Sequence, residues 1–130
     1  MDTETLDRLL DAATEACAHS YSPYSGFPVG AAVLASNGNI YAGTNIENAS
    51  YGATMCAERV AVFKAVSEGA DKILAVAVYT SAADYAFPCG MCLQVLSEFA
   101  SRDIPVFLTS GAESRELTLK DLLPITFELK

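Results

Sequence analysis

The stretch Val29–Ile46, VGAAVLASNGNIYAGTNI, decides the fold. Two apolar runs, Val29 to Ser36 and Ile40 to Ile46, flank the pair Asn37-Gly38. Both of these residues tolerate a positive φ, so Asn-Gly between apolar runs marks a tight β-hairpin. The hairpin commits this part of the chain to an antiparallel pair of strands.

Upstream, Leu6, Leu9, Leu10, Ala13 and Cys17 recur at helical spacing and predict an amphipathic helix. Ser20-Tyr21-Ser22-Pro23 ends it as a loop signal. Cys17 falls on the apolar face, where a buried thiol is the ordinary outcome. Downstream, a helix is expected from about Met55 to Glu68, with Val60 and Phe63 on one face and Ala61 and Lys64 on the other. Gly69 suits its C′ stop. Ile73 to Thr80 is nearly continuous apolar sequence, as in a strand buried on both sides. A third helix is expected from near Cys89 through Leu96 and Phe99, then a buried strand from Ile104 to Thr109. Thr118-Leu119-Lys120-Asp121 has the form of a capping box opening a short helix, which Pro124 stops. The order α-β-β-α-β-α-β plus a short helix predicts an α/β fold. Its architecture is a three-layer αβα sandwich on a mixed sheet of about five strands. No linker, repeat or low-complexity segment interrupts the chain, so residues 1–130 read as one domain.

Composition narrows the function. Eight basic residues face sixteen acidic ones, a net charge of −8, and no basic run occurs. That balance disfavours nucleic acid, whose binding depends on phosphate neutralisation. It is compatible with a small neutral substrate. The longest apolar runs are too short to span a bilayer, and the acidic, helix-like N-terminus does not read as a signal peptide. A cytoplasmic location is expected, where Cys17, Cys56, Cys89 and Cys92 are more naturally thiols or metal ligands than disulfides. The hydrophobic fraction, 52%, is high for a small domain. It fits either a well-filled core or apolar surface covered by other subunits.

Two segments carry chemistry: Cys56-Ala57-Glu58 and Pro88-Cys89-Gly90-Met91-Cys92. Each opens a predicted helix, where backbone N–H groups and the helix dipole favour a thiolate. Cys89 and Cys92 can bind one metal from a single turn, and Cys56 supplies a third sulfur. Three protein ligands leave one tetrahedral position of a zinc ion open, as catalytic zinc sites do. His19, the only histidine, reads as a helix-terminal or solvent-exposed residue rather than a fourth ligand. A lone Glu in a helix usually faces solvent, but Glu58 stands two residues from a ligand and suits proton transfer at the open position. A Cys89–Cys92 redox pair is a rival reading of that segment alone. The zinc deaminase signature pairs His-x-Glu, or its all-cysteine variant, with Pro-Cys-x-x-Cys. Cys-Ala-Glu followed by Pro-Cys-Gly-Met-Cys is the all-cysteine form.

With these motifs the chain resembles the small homotetrameric zinc-dependent cytidine deaminases. The likeness runs through Tyr21–Ala32, Asn45–Gly52, Cys56–Arg59, Pro88–Cys92 and Glu116–Phe127. It implies a cytidine deaminase-like fold, Zn2+ as cofactor, and hydrolytic deamination of cytidine and 2′-deoxycytidine in pyrimidine salvage. It also implies a homotetramer with active sites shared between subunits. Within the pocket it implies that Phe27 packs on the pyrimidine and that Asn45 and Glu47 bind the ribose hydroxyls. Ala57 and Ala49 would line the pocket, and neighbouring subunits would contribute Tyr51 and Phe127. Arg59, beside the catalytic Glu, would hydrogen-bond a cysteine sulfur and offset thiolate charge. One departure stands out. The family usually continues Pro-Cys-Gly-x-Cys-Arg-Gln, but here Leu93 precedes Gln94. That departure, with the segment Ala82 to Phe87 that could line the pocket near the leaving group, leaves open the same chemistry on N4- or O4-modified cytidines. An alternative of another class is a non-catalytic zinc-binding paralogue.

Overall fold

The computed structural model describes residues 1–129. Its elements are α1 (Thr3–Cys17), β1 (Val29–Ala35), β2 (Ile40–Thr44), α2 (Ala57–Ser67), β3 (Ile73–Thr80), α3 (Gly90–Phe99), β4 (Pro105–Thr109), β5 (Ser114–Thr118) and α4 (Leu119–Leu122). A single 3-10 turn, Tyr51–Ala53, precedes α2. The five strands form one sheet in the order β2-β1-β3-β4-β5. β1 is antiparallel to both β2 and β3, β3 is parallel to β4, and β4 is antiparallel to β5. The sheet is therefore mixed, and α3 makes the crossover between its parallel pair.

Strand alternation divides the core into two layers. Ala32, Ala75 and Ala77 pack with Leu9 and Ala13 of α1 on one face. Ala31, Val33, Val76, Val78, Val106 and Leu108 join the larger cluster with α2 and α3 on the other. α1 sits close because its layer is built from alanines. Gly43 performs the same service for α2, since a Cβ there would stand 2.6 Å from the Ala61 nitrogen. α2 ends in a Schellman motif: Ala70 N–H donates to Ala65 O, Gly69 N–H donates to Val66 O, and Gly69 has φ +100°.

Three details differ from the sequence expectation. The Asn-Gly hairpin is not a two-residue turn of double positive φ. Gly38 N–H donates to Ala35 O, Ala35 N–H donates to Asn39 O, and only Gly38 is left-handed, at φ +86°. This is a three-residue loop with a glycine bulge. Ser36 holds it down, through its N–H to Lys72 O and its hydroxyl to Asp71. Second, the buried side of α2 is Ala57, Glu58, Ala61, Val62 and Ala65, which leaves Phe63 exposed. Third, β5 carries no apolar run. It is an edge strand whose Ser114, Arg115 and Glu116 are exposed, the polar dressing that edge strands use. Among the described residues, no helix is long and apolar enough to cross a membrane.

Candidate active site

The N-termini of α2 and α3 come together on the same side of the sheet. Cys56 is the N-cap residue of α2 and Cys89 that of α3, both with extended backbone. Neither side chain is used to cap its own helix. Cys92 lies one turn into α3 and is fully buried. The three sulfur atoms lie within 4.8 Å of one another. Cys56 and Cys89 are separated by 3.8 Å and Cys89 and Cys92 by 3.5 Å. Two sulfurs on a tetrahedral zinc at about 2.3 Å must stand about 3.8 Å apart. The sulfur positions therefore fit a zinc ion, and no fourth His, Cys, Asp or Glu belongs to the group among the described residues. His19 is exposed and lines a different groove, with Glu15 and Lys64. The four cysteines are all free, and burial pushes the Cys17 thiol up and away from reactivity.

Electrostatics sharpen the roles open to these groups. Three thiols this close cannot ionise together unaided. The Cys92 thiol, then Arg59 and Cys89, stabilise the Cys56 thiolate and bring that group down to about 5. Cys92 is correspondingly pushed up, chiefly by its contact with Cys56 and by burial. Arg59 Nη2 donates to Cys56 Sγ across 3.3 Å. Its Nε is buried with no hydrogen-bond partner. Glu58 is only 5% exposed. Burial, with the charge of Cys56 adding to it, raises its carboxyl to about 7. A carboxyl in that range can both take and release a proton near neutrality.

A cavity of about 390 Å³ opens over this cluster, lined by Cys56, Ala57, Glu58 and Cys89 and also by Phe27, Asn45 and Glu47. The fold thus brings together seven residues singled out in the sequence. Asn45 reaches the cavity from just beyond β2, where it also serves the backbone. Its Oδ1 accepts from Val29 N–H at 3.0 Å and the Ser20 hydroxyl at 2.6 Å, and its Nδ2 donates to Phe27 O at 2.9 Å. The Glu47 carboxylate accepts from the N–H groups of Tyr24 and Ser25 and from the Ser25 hydroxyl. The hydroxyl above all holds the Glu47 carboxyl below its ordinary value.

Three expected residues stand away from this cavity. Ala49 is exposed and does not line it. Tyr51 is 89% exposed and lines, with Tyr24 and Asn48, an adjoining recess that shares Ser25, Glu47 and Thr54 with the cavity. Phe127 is 69% exposed, its carbonyl taken by Gln94 Nε2 at 3.2 Å. Leu93 is buried in the main core and offers the sulfurs no charge. Ser25, Thr54 and Met55 line the cavity without having been assigned there, and Tyr85 and Phe87 bring to it the end of the segment Ala82 to Phe87. Tyr85 and Phe87 meet edge to face with centroids 5.9 Å apart. Their loop has no periodicity, so only its place just before Cys89 hinted at the site.

Comparison with known proteins agrees with this geometry. Residues 3–108 match the family described as the cytidine and deoxycytidylate deaminase zinc-binding region. The chain is 46% identical over 123 residues to a cytidine deaminase of Sporosarcina psychrophila, covering 94% of this chain and 90% of that one. A cytidine deaminase of Halalkalibacterium halodurans is 45% identical over 120 residues, covering 92% and 91%. The crystal structure of cytidine deaminase from Burkholderia pseudomallei superposes with a TM-score of 0.87 at 38% identity, covering 98% of this chain and all of that one. That from Mycobacterium tuberculosis gives 0.82 at 39% identity, covering 95% and 98%.

Proposed function

The chain belongs to the cytidine and deoxycytidylate deaminase zinc-binding family, and from that premise we propose that it hydrolyses cytidine and 2′-deoxycytidine to the uridine nucleosides and ammonia. One observation carries the proposal: a single cavity is lined by the cysteine cluster, a buried carboxyl, and the aromatic and polar groups suited to a nucleoside.

Cys56, Cys89 and Cys92 are the residues that hold zinc, with Arg59 offsetting thiolate charge. The metal supplies an electrophile that makes water acidic enough to act as a nucleophile near neutral pH. Glu58 takes a proton from the water that attacks C4 and delivers it to ring N3, then takes the remaining proton of the new C4 hydroxyl and passes it to the amine as the C4–N bond breaks. Its buried position favours such shuttling, because the protonated and ionised forms lie close in free energy there. Phe27 packs on the pyrimidine beside Ala57, while Asn45 and Glu47 take the ribose hydroxyls. In an assembled homotetramer, Tyr51 and Phe127 complete the pockets of neighbouring copies. The exposure of both aromatic rings supports that placement. The role in pyrimidine salvage and a cytoplasmic location follow from the same reading.

Glu58 beside the three-sulfur group argues against a non-catalytic paralogue, and the third sulfur argues against a simple Cys89–Cys92 redox pair. A second substrate reading has its own support. Tyr85 and Phe87 give the cavity an apolar rim on the segment that leads to Cys89. Such a rim suits cytidines substituted at N4 or O4, and a panel of those nucleosides tests it.

The test of the main reading is stoichiometric. Zinc-loaded protein is incubated with cytidine, and uridine and ammonia are measured. Equal amounts of both are expected, lost on chelation and restored by zinc. Intact cytidine after incubation with zinc-loaded protein would contradict it.

A further inference from the structure

The Glu47 carboxylate is not evenly engaged. Oε1 accepts two backbone N–H groups, from Tyr24 at 3.0 Å and Ser25 at 3.1 Å, which fills its lone pairs. Oε2 accepts only the Ser25 hydroxyl, at 2.5 Å, and keeps capacity for another donor. The Ser25 oxygen in turn accepts the Phe27 N–H at 3.0 Å. The other end of Phe27 is held by Asn45, whose Nδ2 donates to the Phe27 carbonyl. Ser25, Phe27, Asn45 and Glu47 all line the same cavity.

We propose that Ser25 is a positioning residue for sugar recognition, fixing the free oxygen of Glu47 toward a ribose hydroxyl and tying it to the backbone of Phe27. The proposal rests on the nucleoside reading above. Its logic is one of remaining acceptors. Only Oε2 is open to a ligand hydroxyl, and only Ser25 orients it. Without the Ser25 hydroxyl, the two N–H bonds to Oε1 still hold the loop, so the fold survives. Oε2 then loses its one donor and the carboxylate can pivot about Oε1, and the Phe27 N–H loses its acceptor. The rival account is that Ser25 merely closes a local turn, since a serine oxygen two residues before an N–H commonly does so.

The two accounts separate on sugars. Inhibition of cytidine turnover by uridine and by 2′,3′-dideoxyuridine is measured in the wild type, Ser25→Ala and Ser25→Thr. The wild type should bind uridine more tightly than the dideoxy analogue. Ser25→Ala should weaken uridine about tenfold, the loss of one hydrogen bond to a charged group, and leave 2′,3′-dideoxyuridine within about twofold. Ser25→Thr should restore uridine binding, and the melting temperature reports folding of each variant. Equal weakening of both nucleosides, or none, would overturn the role of Ser25. Equal affinity of the wild type for both sugars would instead strike the ribose reading, and Ser25 with it.

Discussion

Arg59 Nη2 meets Cys56 Sγ across 3.3 Å, while Leu93, the neighbour of the last sulfur ligand, is buried in the apolar core. The cysteine cluster therefore has its cationic partner on α2 rather than on α3. Three thiolates outweigh the charge of a zinc ion, so this contact offsets the excess. It also presents a planar donor that lysine does not reproduce.

Arg59→Ala should weaken zinc binding about ten- to a hundredfold, the usual cost of removing a group that supports metal ligands. Arg59→Lys should fall between that variant and the wild type. Competition with a chromophoric chelator measures this directly. Wild-type zinc affinity in Arg59→Ala would show that the contact is incidental.

The close approach of α2 to β2 at Gly43 sets where Cys56 and Glu58 stand. A Cβ at this position meets the Ala61 nitrogen at 2.6 Å and Val60 Cβ at 2.8 Å, so the helix must move. Gly43→Ala should cost about 1–3 kcal/mol by overpacking, read from urea unfolding of the metal-free protein. It should also lower zinc retention, because the helix carries one sulfur away from the other two. Unchanged unfolding midpoint and zinc content would show that the contact relaxes freely.

Much of this was legible beforehand because its signals are local. The cysteines were readable as ligands because their spacing needs only one helical turn, and each motif opens a helix. β1 and β3 were readable because they are buried on both faces. β5 was not, since Ser114, Arg115 and Glu116 have no apolar period and pair only through the backbone of β4. The role of Ser25 is not legible in the sequence for a different reason. Its partner Glu47 is 22 residues away, and only the folded loop joins them. The outward side of Phe63 was likewise unreadable, because an apolar residue on a helix does not reveal which neighbour covers it.

The rings of Tyr51 and Phe127 extend from the surface instead of entering their own cavity. In the proposed homotetramer they are covered, and four chains of 13.7 kDa travel together. Light scattering on a sizing column should return that mass. Tyr51→Ala should raise KM for cytidine even where the assembly holds, because the ring serves another copy's pocket. A monomer with full activity would contradict the sharing of sites.

In the proposed mechanism, Glu58 moves the protons of hydrolysis at a zinc site built from Cys56, Cys89 and Cys92. Glu58→Gln keeps the shape of the side chain and removes its ability to exchange a proton. The decisive measurement is kcat on cytidine for this variant and the wild type, with zinc content determined on the same samples. A fall of about a hundred- to ten-thousandfold is expected, with zinc still near one ion per chain. Wild-type turnover in zinc-replete Glu58→Gln would contradict it.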